Sequence, residues 1–133
     1  MNALEKADEL RLRTKRFAIR IVRLFRSLPH SPDVQVLGKQ LLRSGTSVAA
    51  NYRAVCRSRS KAEFVSKMSI VVEEADETVF WLELMVESGL VTMKKTEALI
   101  SEANQLVAIF GTSLKTAKAS IAAGKRATET LSD

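Results

Sequence analysis

The sequence holds little that would bend or cross-link a chain. It has two prolines and five glycines in 133 residues. That is too few for turn-rich β structure and favours long helices. Its single cysteine, Cys56, has no partner for an internal disulfide, which points to a reducing compartment. No uncharged apolar run approaches the roughly 20 residues that span a bilayer. The opening MNALEKADELRLRTKR is charged throughout and lacks the apolar core of a secretory signal. A cytoplasmic protein with no membrane contact is expected. The only histidine, His30, lies between Pro29 and Pro32. One histidine cannot supply the paired Glu-x-x-His motifs of a di-iron bundle, and Cys/His zinc spacing is absent. The glycine-rich phosphate loop is missing as well. Cys56 has no histidine base and is expected as a small buried hydrophobe. The serines have no triad partner. A catalyst is therefore the weakest class for this chain, and neither cofactor nor metal is expected.

What the sequence does have is segregated charge and helical period. The net charge is +6. Residues 1–32 carry eight Lys or Arg against three acids, and residues 33–61 carry six against one. Residues 62–88 reverse this, with seven acids against one lysine. Either the acidic segment neutralises the basic ones internally, or a cationic face remains for a polyanion.

Four helices follow from the apolar spacing. The first runs from about Leu4 to Leu28, on Leu10, Phe17, Ile21, Leu24 and Leu28, until Pro29 and Pro32 stop it. Beside that stripe, Arg13, Arg16, Arg20 and Arg23 form one row. Arg11, Lys15 and Arg26 fall on other faces. The second helix starts near Asp33 as N-cap. Its core stripe is Val34, Leu37, Leu41, Gly45, Val48, Tyr52 and Val55. Alongside runs a small, polar stripe of Gln40, Ser44, Ser47, Asn51, Ala54 and Ser58, which suits close approach of another helix or subunit. Lys39, Arg43, Arg53 and Arg57 stand on the outer side.

Ser60 and Glu63 form the signature of a capping box, which opens a third helix over Lys61 to Glu87. There Phe64, Val71, Thr78 and Met85 recur every seven residues, as do Val65, Val72, Val79 and Val86, with Met68, Ala75 and Leu82 between them. Ile70, Phe80, Trp81 and Leu84 point away from that core, among Glu73, Glu74 and Glu77. Exposed apolar groups mark a contact surface, so copies of the chain are expected to associate, with Trp81 as anchor. Gly89 closes the helix. Thr92 caps a fourth helix, from about Met93 to Ala122, on Leu99, Ala103, Leu106, Phe110, Leu114, Ala117 and Ile121. The arrangement predicted is one all-α domain over residues 1–122, an antiparallel up-down-up-down bundle, followed by a flexible tail over 123–133.

From Gln40 to Leu84 the chain resembles the small four helix bundle protein family, related to proteins encoded in intervening sequences of bacterial large-subunit ribosomal RNA genes. The residues that carry the likeness are QLLRSGTSVAANYRA, then CRSRSKAEFVSKMSIVVEEADET, then WLEL. Their signatures are R-S-x-x-S-x-x-A-N-Y-R, S-x-x-E-F and E-x-D-E-x-x-x-W-L. Val55 and Ser58 stand where such sequences would be expected to have Ala. The resemblance implies a homopentameric ring of antiparallel bundles. It also implies kinship with the accessory variability protein of diversity-generating retroelements, a basic pentamer that partners a reverse transcriptase and binds nucleic acid.

Two functions remain in play. In the first, an oligomer binds nucleic acid, RNA or DNA, without sequence preference, through Arg13, Arg16, Arg20, Arg23, Lys39, Arg43, Arg53 and Arg57. In the second, the protein is a structural or adaptor assembly, with or without a further protein partner, and its arginines pair with the acidic third helix. In both, Ser44, Ser47, Asn51, Ile70, Glu73, Glu77, Phe80, Trp81 and Leu84 are the candidate subunit contacts. A small-molecule pocket has no sequence support.

Overall fold

The computed structural model describes residues 1–132 as four helices and no strand. These are α1 (Ala3–Arg26), α2 (Pro32–Val55), α3 (Lys61–Glu87) and α4 (Met93–Ser132). Short connections turn each helix back on the last, so the bundle is antiparallel. Consecutive helices pack broadly against one another, whereas α1 and α4 close the square along a thinner seam.

The ends of the helices show why they begin and stop where they do. Asn2 caps α1 by accepting from the Glu5 N–H at 2.9 Å, and the Glu5 carboxylate reaches back to the Asn2 N–H. This capping box is where α1 begins. Ser31, not Asp33, is the N-cap of α2, and it makes no side-chain cap bond; Pro32 takes the first helical position, where its missing N–H costs nothing. Asp33 sits in the first turn instead, where its charge suits the helix dipole. Ser60 does cap α3 through the Glu63 N–H at 3.0 Å. The Glu63 carboxylate does not complete the box, because it turns to Lys67 at 2.7 Å. Gly89 closes α3 with φ +78°. The Leu90 N–H reaches Met85 O and the Gly89 N–H reaches Val86 O, the paired bonds of a Schellman motif. Thr92 accepts from the Lys95 N–H at 3.3 Å at the start of α4.

The expected stripes make the core. Phe17, Ile21, Leu41, Val48, Met68, Val71, Leu82, Met85, Leu106 and Phe110 are fully buried. At about 1.5–3 kcal/mol for each large side chain, this cluster outweighs the surface ion pairs, worth about 0–1 kcal/mol apiece. Tyr52 of α2 and Phe110 of α4 meet across the diagonal, ring centroids 4.8 Å apart. Four polar residues, Thr14, Ser44, Thr78 and Thr96, are buried with them. The Thr14 hydroxyl donates to Leu10 O at 2.9 Å, and that of Thr96 donates to Thr92 O at 3.0 Å. Thr78 Oγ1 donates to Ser44 Oγ at 3.0 Å across the α2/α3 seam.

That last bond corrects one expectation. Ser44 is completely buried within its own chain, so it cannot contact a second copy. The small stripe of α2 serves the α2/α3 seam at this point. Cys56 is also not a core residue; it is exposed at the C-cap of α2. Its backbone keeps helical angles, and that direction sets it at the rim of an open hollow with Tyr52, Ser58 and Phe64. On its α1 side α2 comes very close: a Cβ at Gly45 would lie 2.8 Å from Ile21 Cγ1 and 2.9 Å from Ile21 Cγ2. Finally, α4 is longer than its apolar stripe. Leu114, Ala117 and Ile121 are only half-buried, and residues 123–131 continue as exposed helix.

Candidate nucleic-acid interface

The eight cations named from the sequence divide into two groups. Two of them are internal ties. Arg13 reaches across the thin α1/α4 seam, where Nε donates to Glu102 Oε2 at 2.9 Å and Nη2 to Glu102 Oε1 at 2.7 Å. Its Nη2 also reaches Gln105 Oε1 at 2.8 Å. The hydrogen bond to Glu102 holds the guanidinium above its ordinary pKa. A two-pronged, part-buried pair of this kind is a strong form of ion pair. It does for α1 and α4 what apolar packing does at the broader seams.

Arg43 does the same between α2 and α3. Its Nη2 donates to Glu77 Oε1 at 2.5 Å, and Nη1 to Glu74 Oε2 at 3.2 Å. Glu77 also accepts from the Trp81 indole N–H at 3.1 Å. The Arg43 hydrogen bond, with help from Trp81, holds the Glu77 carboxyl below the usual carboxylate range. Arg13 and Arg43 are therefore committed to their own chain and are not free phosphate ligands.

The other six are Arg16, Arg20, Arg23, Lys39, Arg53 and Arg57. Among the described residues none of them makes an ion pair. Arg20 is half-buried and the rest are exposed. Arg16, Arg20 and Arg23 border the α1/α4 seam, in shallow hollows that they share with Glu9, Glu102, Lys95 and Leu99. This row therefore runs alongside two carboxylates. Lys39 stands on α2, one turn before Arg43.

Arg53 and Arg57 lie elsewhere, on the opposite flank of α1. They face Arg11 and Lys15 over a groove between α1 and α2. Helical period alone places Arg11 and Lys15 on other faces of α1, away from the row. The signal that would have found them is an i, i+4 cation pair on α1 set against a second such pair at the C-terminal end of its antiparallel neighbour, Arg53 in α2 and Arg57 in the turn after it. Arg11 has one partner, the exposed Asp8 on its own helix.

The apolar surface on α3 is smaller than its period suggests. Ile70 and Phe80 are exposed, at 42% and 53%. Trp81 is half-buried against the edge of the core, meeting Phe80 edge to face at 5.0 Å. Leu84 is half-buried too, and Glu73 is exposed beside Ile70 and Phe80. Ser47 and Asn51 are half-buried on α2, where the Asn51 amide donates to Ser47 O at 2.8 Å. No helix among the described residues is long and apolar enough to cross a membrane.

The model of the 23S rRNA-intervening sequence protein matches residues 9–112, which include three-quarters of α1, all of α2 and α3, and half of α4. The chain belongs to that family. Among solved structures, a protein of unknown function of the S23 ribosomal protein family from Bacteroides thetaiotaomicron shares its fold, with a TM-score of 0.74 and 33% identity. The alignment covers 79% of this chain and 97% of that one. No curated protein matches. As a member of the 23S rRNA-intervening sequence family, the chain keeps its family match within the packed bundle, and the exposed end of α4 lies beyond it.

Proposed function

We propose that this protein binds nucleic acid through its basic surface, without catalysis and without sequence preference. One observation carries the reading. Six of the eight cations named from the sequence are left without an ion-pair partner among the described residues, while α3 alone holds seven of the fifteen acids. Unpaired arginines in rows release counterions from a phosphate backbone and position it, but read no base. The rings are in the core or on α3, so base stacking contributes little. The family description names an rRNA intervening sequence, which makes RNA the first probe. A labelled 30-nucleotide RNA should bind with a Kd on the order of 1 µM or tighter at about 50 mM salt. Affinity should fall roughly 10²–10³-fold by about 200 mM, as expected for six phosphate contacts on a single strand. Absence of binding to both RNA and DNA at the lower salt refutes the reading.

A second reading has its own support. Arg13 and Arg43 are bound to Glu102, Glu74 and Glu77, which is the internal neutralisation a pure assembly protein would use. On that reading the exposed Ile70 and Phe80 join copies into a closed ring, and no nucleic acid is needed. The same binding experiment separates the two.

A further inference from the structure

We infer that the groove between α1 and α2, lined by Arg11, Lys15, Arg53 and Arg57, is a seat for two successive phosphates of a single nucleic-acid strand. The inference rests on the nucleic-acid reading and places the contact on a face the α1 arginine row does not occupy. The groove has a volume of about 540 Å³. Thr46, Ala49, Ala50 and Leu12 complete its lining. Four cations line it and no carboxylate does. The hollows along the α1/α4 seam differ here: Arg16, Arg20 and Arg13 share theirs with Glu9 and Glu102.

Helix register sets the four cations in two tiers. Ile21 lies against Gly45. Because α1 and α2 are antiparallel, stepping back along α1 moves forward along α2. Lys15 therefore comes to about the level of Arg53, within about 3 Å along the axis; Arg57 stands in the turn just past the end of α2, where Cys56 keeps helical angles and the Arg57 N–H bonds to Ala54 O, and so comes near the level of Arg11. The tiers are four residues apart, or about 6 Å. That is the scale of the separation between neighbouring phosphates on one extended strand. Each tier offers one cation from each wall. The small side chains of Thr46, Ala49 and Ala50 in the lining let a sugar–phosphate backbone lie close to α2, where larger ones would hold it out in solvent. Arginine, present on both sides as Arg11 and as Arg53 and Arg57, favours phosphate in particular, since its planar fork matches two phosphate oxygens. The Arg11–Asp8 pair sits on the rim with both side chains about half exposed, so it holds Arg11 only weakly.

The test compares two charge reversals of equal size. One variant carries Arg53→Glu and Arg57→Glu. The control carries Lys115→Glu and Lys118→Glu, on exposed positions of α4 away from the groove. Anisotropy with a labelled 30-nucleotide oligouridylate at about 50 mM salt reads the affinity, and a salt titration reads the number of contacts. The groove variant should bind at least 10-fold more weakly than the control, with a salt slope shallower by about 1.4, two phosphates at 0.7 each. The Arg53→Gln, Arg57→Gln pair should show the same slope change, and circular dichroism melts confirm that each variant folds. Equal losses in groove and control variants overturn the groove while leaving nucleic-acid binding standing. An unmutated protein that binds neither RNA nor DNA overturns both. A changed sedimentation mass in the groove variant also overturns the inference, because the groove would then be covered by a second copy of the chain.

Discussion

Gly45 and Gly111 are both helical glycines, yet their surroundings give opposite expectations. A Cβ at Gly45 would press on the branched carbons of Ile21, which cannot rotate away within a full core. Gly111 has nothing within 4 Å of where a Cβ would stand. Gly45→Ala should therefore destabilise by about 1–2 kcal/mol despite its better helix propensity, while Gly111→Ala should stabilise by about 0.5–1 kcal/mol. Chemical denaturation midpoints check both signs. Glu77 gives a pH-dependent expectation. Its pairing with Arg43 lowers its pKa below the ordinary 4.5, so its contribution is present above that value and is lost as pH falls through the lowered one. The gap in urea midpoint between the native protein and Glu77→Gln should be widest near neutral pH and should narrow as pH falls through the lowered pKa of Glu77. A gap that does not change with pH would show that the pair contributes nothing as an ion pair.

Among the helices, α3 was the most legible and α4 the least. The bounds of α3, Lys61–Glu87, follow from a serine cap, a heptad-like run and a left-handed glycine, all local signals. The capping box of α1 at Asn2 and Glu5 lies one turn ahead of any apolar period, so the period could not find it. The apolar stripe of α4 ends near Ile121, but its helix reaches Ser132 because nothing after Gly124 stops it: the segment has no proline and is rich in good helix formers. A helix end that packs on nothing adds helicity but little stability. Ending the chain after Ala123 should reduce the far-ultraviolet helical signal and move the melting temperature by less than about 2 °C. A larger drop would mean that this segment packs on a surface in solution, within one chain or between two.

For the molecule as a whole, the open question is what covers Ile70 and Phe80. Both sit on the outer face of α3 among Glu73 and Asp76, and together with the half-buried Trp81 they make an apolar patch framed by acids. If copies assemble there, sedimentation should show a multiple of the 14.7 kDa chain, and Ile70→Glu with Phe80→Glu should return it to a monomer. A native protein that sediments as a monomer would rule the patch out as an assembly surface. Charge distribution bears on the same point. α3 presents its acids on one side of the bundle, and the α1/α2 groove presents its cations on another. Binding of nucleic acid and assembly of copies can therefore use separate faces.

The four helices, their antiparallel order and most of the core were legible in the sequence alone. Each rests on interactions between residues close in the chain: period, caps, prolines and a terminal glycine. Leu10, Phe17, Ile21, Leu41, Val48, Met68, Val71, Leu82, Leu106 and Phe110 all take the places their spacing assigns. The roles of the cations were not legible in the same way. Period places Arg13 in a row with Arg16, Arg20 and Arg23, but only the closure of α4 against α1 gives it Glu102. Period places Ser44 on a small stripe, but only the register of α3 puts Thr78 opposite and seals it inside. Arg11 and Lys15 look scattered until α2 brings Arg53 and Arg57 across from them. A charge acts over whatever distance the fold sets between it and its neighbours. That distance is a property of paired helices, which no single helix contains.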